Sequence, residues 1–114
     1  VATWICGPAG CASDYAADVA NHAQRPVFAA IFEQSPRLGA RRLANVSVAP
    51  GDEKSLGPVK PSDAGLGAAV FIIIDSTPNP RSPRRIPLSR GLTRFEVVQF
   101  GDDPRAPIQV NQLP

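Results

Sequence analysis

Thirteen prolines are distributed from Pro8 to Pro114 in a chain of 114 residues. Proline lacks a backbone donor and fits badly inside helices and central strands, so this distribution excludes long helices over most of the chain. One window escapes. Over residues 13–24, Ser13 is placed to cap a helix, Asp14 favours a helix N-terminus, and Tyr15, Val19 and Ala23 recur at i, i+4 and i+8. The spacing predicts one short amphipathic helix there.

The remaining segments read as strands and turns. Val27 to Phe32 is a short apolar run bounded by Pro26 and Pro36, which favours a strand. Leu43 to Val48 alternates with a period of two and ends at the turn signal Pro50-Gly51. Residues 57–67, rich in Gly, Pro, Ser and Asp, read as a connection. Ala68 to Asp75, with Ile72-Ile73-Ile74 at its centre, reads as a buried central strand. Residues 76–85 offer no apolar side chain except proline and are expected to form an exposed loop. Strands resume at 85–88, 94–100 and 108–110. Roughly six short strands after one N-terminal helix describe a mainly β chain, a single antiparallel β-sandwich over residues 13–114. Residues 1–12 are expected to form an arm in front of it, and residues 101–114 a proline-bearing tail.

The length suits one domain, and a 43% apolar fraction argues against a wholly disordered chain. The longest apolar run, residues 66–74, falls far short of the roughly 20 residues of a transmembrane helix. A formal net charge of +2 does not compel a nucleic-acid or membrane partner. There is no methionine, even at position 1, as expected if an initiator was removed ahead of Val1 or the chain is a processed product.

Few residues suggest catalysis. His22 is the only histidine, and nothing in its spacing to Ser, Cys or Asp indicates a dyad or triad. Asp14 with Asp18 suits a helix start, whereas Asp52-Glu53 and Asp102-Asp103 follow glycine turns, so none of the three makes an acid/base pair. Gly7-Pro8-Ala9-Gly10 lacks the glycine pattern and lysine of a phosphate loop, and the later prolines forbid the helices of a nucleotide-binding α/β fold.

Cys6 and Cys11 are separated by Gly-Pro-Ala-Gly and can approach one another, which leaves several readings open. A small structural disulfide suits an oxidising compartment. A redox pair is the alternative, because Trp4-Ile5-Cys6-Gly7-Pro8 resembles the thioredoxin motif, although its spacing differs. A metal site needs about four ligands, more than two Cys and one His supply. Ala9-Gly10-Cys11-Ala12-Ser13 resembles a bacterial lipobox, but cleavage there would remove residues 1–10, which are present. No metal and no cofactor are expected.

The distinctive surface feature is an arginine cluster: Arg81, Arg84, Arg85, Arg90 and Arg94, with no acid between Asp75 and Glu96. Arginine forms planar, two-pronged bonds to carboxylates and phosphates. Aromatic residues for base stacking are missing from the stretch, so protein docking or plain solubility is expected rather than nucleic-acid binding. These five arginines are the expected partner-binding residues.

In chain order the motifs resemble the small outer-membrane lipoprotein of the bacterial type VI secretion membrane complex, a transthyretin-like β-sandwich. The resemblance rests on Asp18-Val19 and Asn21 ahead of Arg25-Pro26, a strand ending Ile31-Phe32-Glu33-Gln34, then Val48-Ala49-Pro50-Gly51-Asp52-Glu53 and Leu66-Gly67-Ala68-Ala69-Val70-Phe71. The Gln34 to Pro50 connection is shorter than that family's, and the cysteines have no clear counterpart. The resemblance implies a non-enzymatic docking protein that holds an inner-membrane partner through its loops. The expected function is thus a structural or docking module of a larger assembly, in the cell envelope or outside the cell rather than in the cytoplasm, binding other protein subunits and no small-molecule substrate. An oligomer is compatible with this. A virion or phage structural subunit, and a small thiol-redox protein using Cys6 and Cys11, are the alternatives.

Overall fold

A computed structural model describes residues 14–36, 39–60, 69–103 and 105–114. Eight strands follow in chain order: β1 Tyr15–Asn21, β2 Val27–Ser35, β3 Gly39–Val48, β4 Glu53–Val59, β5 Ala69–Asp75, β6 Ile86–Pro87, β7 Gly91–Gln99 and β8 Ile108–Leu113. They form two four-stranded sheets, ordered β4-β1-β7-β8 (sheet A) and β3-β2-β5-β6 (sheet B). The mainly β, two-sheet expectation holds, with more strands than the roughly six read from sequence.

The helix expected over residues 13–24 is absent; β1 runs through that window. Tyr15, Val19 and Ala23 differ by four residues, a spacing that fits one face of a helix and one face of a strand alike. Burial separates the two: Ala17, Val19 and Asn21 have no exposed surface, an alternation of two. β1 is central in sheet A, where pairing on both sides outweighs the small helix preference of its alanines.

The sheets are also not wholly antiparallel. β1 and β7 pair in parallel, from Tyr15 opposite Gly91 to Asn21 opposite Val97. Parallel neighbours need a long crossover, and here all of sheet B lies between them in sequence.

β4 occupies residues expected to begin a connection, and contains Pro58. A proline donates no ladder bond, but among the described residues β4 is an edge strand paired only with β1, so the missing donor is tolerated. Gly57 precedes it at φ +86°, where a Cβ would lie 2.7 Å from the Tyr15 carbonyl oxygen. Only glycine permits that approach.

The core lies between the sheets. Val27, Ala29 and Ile31 of β2 face Val19 of β1 and Phe95 and Val97 of β7, all at 1% exposure or less, with Ile72 of β5 and Val48 of β3. Each of the branched and aromatic side chains among them stabilises the fold by about 1.5–3 kcal/mol relative to exposure. The 76–85 segment forms no regular structure and carries mostly exposed residues, as its composition predicts.

Candidate docking surfaces

Over Val27–Phe32 of β2 and Val70–Ile74 of β5 both faces are apolar. Their core residues alternate with Phe28, Ala30 and Phe32 on β2 and with Phe71 and Ile73 on β5, which point away from sheet A. Phe32 and Phe71 are cross-strand partners and stack, with centroids 5.5 Å apart and planes 13° from parallel. Beside them lies a groove of about 650 Å³ whose lining includes Phe28, Phe32 and Ile73. The loop after β5 supplies Pro78, Pro80 and Pro83 to it, and Arg42 of β3 is the single charged residue in the lining. Such a surface takes an apolar side chain and attracts a neighbouring carboxylate.

The five arginines do not act as one patch. Arg85 lies over the Phe71 ring at 5.0 Å from its centroid, and its guanidinium donates to Gln34 Oε1 at 3.2 Å. This arrangement extends the aromatic face of sheet B with a cation, a contact worth about 0.5–1 kcal/mol in exposed settings. Arg81 and Arg84 are exposed on the same connection, and Arg90 is exposed just before β7. Arg94 belongs to the opposite side of the sandwich, on the outer face of sheet A, where its Nε is 4.0 Å from Asp18 Oδ2. Contiguity in sequence therefore joins residues that the fold divides between two sheets.

On sheet A, Ser55, Asp18, Arg94 and Leu113 occupy one row across four strands. The Ser55 hydroxyl donates to Asp18 Oδ1 at 2.6 Å. A cavity of about 690 Å³ opens over this row, lined also by Leu92 and Pro58. The Asp18 carboxylate is thus shared between the Ser55 hydroxyl and the Arg94 guanidinium, which orders this part of the surface.

His22 is exposed at the end of β1, and its backbone N–H donates to the Val97 carbonyl at 2.8 Å. Asp14 ion-pairs with Lys60 at 3.8 Å, and Asp52 and Asp103 accept from the backbone N–H groups of Glu53 and Arg105, at 2.9 Å each. These acids serve surface pairs and turns. Among the described residues, no three of His, Cys, Asp and Glu gather as a metal site would require. Among the same residues there is no helix long and apolar enough to cross a membrane. Cys6 and Cys11, together with the lipobox-like segment, lie outside the described residues.

Sequence reading passed over the groove residues Phe28, Phe32, Ile73 and Arg42, and the buried acid Glu33, which has no exposed surface and lies opposite Arg41 in the β2–β3 ladder. The signal for the groove was the unbroken apolar run Val27 to Phe32. In a two-layer sandwich only alternate residues of a strand reach the core, so such a run leaves an apolar outer face. Comparison with known proteins finds no matching family model, no matching curated protein and no matching solved structure.

Proposed function

We propose that this chain is a non-catalytic docking module of a larger protein assembly, of the kind found in bacterial envelope secretion complexes. The observation that carries the reading is the outer face of sheet B. There an apolar groove floored by Phe28, Phe32 and Ile73 is lined by Arg42 on one side, and Arg85 lies over Phe71, the stacking partner of Phe32. Core apolar contacts ringed by polar and charged groups are the anatomy of protein interfaces, where aromatic residues and arginine carry much of the binding energy.

The test uses the full chain in its native cells, cross-linked mildly and recovered through an affinity tag, in parallel with Arg84→Ala/Arg85→Ala and Phe28→Ser forms. The expected outcome is a defined protein partner recovered with the wild type and depleted by both variants, the arginine variant melting as the parent does and the Phe28 variant remaining folded. Equal recovery with all three forms overturns the assignment of this face.

A further inference from the structure

Sheets that end in an unprotected strand invite pairing with another chain, and proteins blunt such edges with charge, proline or brevity. Three of the four edges here are blunted. β3 carries Arg41 and Arg42, β4 carries Lys54 and Pro58, and β6 is two residues long and includes Pro87. β8, Ile108–Leu113, contains no charge and no proline, and among the described residues only β7 pairs with it.

The direction of its free groups follows from one hydrogen bond. The Phe100 N–H donates to the Pro107 carbonyl at 3.1 Å, so Pro107 faces β7. Backbone groups alternate sides along a strand, which turns Gln109, Asn111 and Leu113 toward β7 and leaves the N–H and C=O of Ile108, Val110 and Gln112 toward the open edge. Along β8 the apolar Ile108, Val110 and Leu113 are interspersed with the uncharged Gln109, Asn111 and Gln112. A cleft of about 310 Å³ beside it is lined by Ile74, Ile86, Phe100, Ile108 and Val110 together with Asp75, Arg84 and Gln109. The exposed large hydrophobics among the described residues, Leu92, Phe100 and Leu113, all belong to the β7–β8 hairpin.

We infer that β8 docks against β8 of a second copy of this chain, antiparallel and about a two-fold axis, to join two A sheets into one. The strand is complementary to itself. Pairing Val110 with its two-fold mate puts Ile108 opposite Gln112 of the other copy, so all the open-edge groups meet partners and both inner faces remain on one side. The same register puts exposed Leu113 opposite Pro107 of the other copy, an apolar contact on the outer face. An uncharged strand brings no like charges together across the axis. A two-fold contact closes after two copies, so the product is a dimer and not a filament.

Light scattering after size exclusion, run on the full chain from micromolar to high-micromolar concentration, tests this. The expected result is a concentration-dependent species at twice the 12.0 kDa of one chain. Gln112→Pro deletes one open-edge N–H without touching the β7 ladder, and is expected to weaken association at least about tenfold. A second variant, Gln109→Lys/Asn111→Lys, sets like charges opposite one another across the axis, while within the monomer the new cation at position 111 has Glu96 as its cross-strand neighbour. It is expected to be folded and monomeric even if the proline variant is not folded. A wild type that stays monomeric throughout overturns the inference, and so does a dimer that either folded variant leaves unchanged.

Discussion

The side-chain amide of Asn21 in β1 donates to the Val48 carbonyl in β3 at 2.9 Å, tying sheet A to sheet B through a residue with no exposed surface. The same amide donates to the Arg25 carbonyl at 2.8 Å, and Asn21 Oδ1 accepts from the Ala23 N–H at 2.9 Å. All three bonds shape the β1–β2 connection and its contact with the end of β3. Asn21→Ala removes them and leaves buried backbone groups without partners, an expected loss of about 3 kcal/mol. Asn21→Asp substitutes an acceptor where two carbonyls require a donor and is expected to cost at least as much. Urea titration of both variants checks the magnitude, and an unchanged midpoint would show that water replaces the amide without penalty.

Gly57 and Gly51 separate two costs that glycine replacement can carry. Both have positive φ, +86° and +77°, but a Cβ at Gly57 meets the Tyr15 carbonyl at 2.7 Å while one at Gly51 meets nothing within 4 Å. Gly51→Ala is expected to cost about 1 kcal/mol from backbone strain alone. Gly57→Ala adds a backbone clash that shifts β4 from β1, with an expected total of about 2–4 kcal/mol. Thermal melts of the two alanine variants compare them directly; equal melting temperatures would mean that β4 moves freely at this point.

Which parts of this fold were legible depended on whether a residue pattern had one structural meaning. Val27 to Phe32 and Ala68 to Asp75 are β-prone and bounded by breakers, so they read as strands. β1 did not, because Tyr15, Val19 and Ala23 satisfy both periodicities and what decides between them is the burial of Ala17 and Asn21. β4 was hidden by Gly57-Pro58, residues that end a central strand but can sit on an edge. The parallel β1–β7 pair joins residues far apart in sequence and leaves no local trace. For the candidate site, the arginines were visible as a cluster, but only the fold assigns Arg85 to sheet B and Arg94 to sheet A. The apolar groove was present in the Val27 to Phe32 run, which reads as a strand but assigns no solvent-side face.

Ile31 and Phe28 sit on opposite faces of β2 and should respond differently to truncation. Ile31 has no exposed surface and packs in the core, so Ile31→Ala is expected to destabilise by about 2–5 kcal/mol. Phe28 is partly exposed and lines the outer groove, so Phe28→Ser is expected to cost much less stability while depleting the cross-linked partner. Chemical denaturation beside the cross-linking assay separates them. A Phe28 variant as unstable as the Ile31 variant would make the outer face part of the fold rather than a surface for docking.

The division of the arginines between two sheets yields the sharpest test of the docking face. Arg85 stacks on Phe71 beside the groove, whereas Arg94 points from the far side of the sandwich toward Asp18, its side chain 57% exposed. At that exposure the Arg94–Asp18 pair is worth well under about 1 kcal/mol, so Arg94→Ala should leave the fold intact. It should also leave partner recovery intact, because the proposed docking face is on sheet B. Arg85→Ala loses the cation over Phe71 and the bond to Gln34 and should lower recovery with little change in melting temperature. If Arg94→Ala depletes the partner as strongly as Arg85→Ala does, the contact spans both sheets or lies on sheet A, and the groove is not its centre.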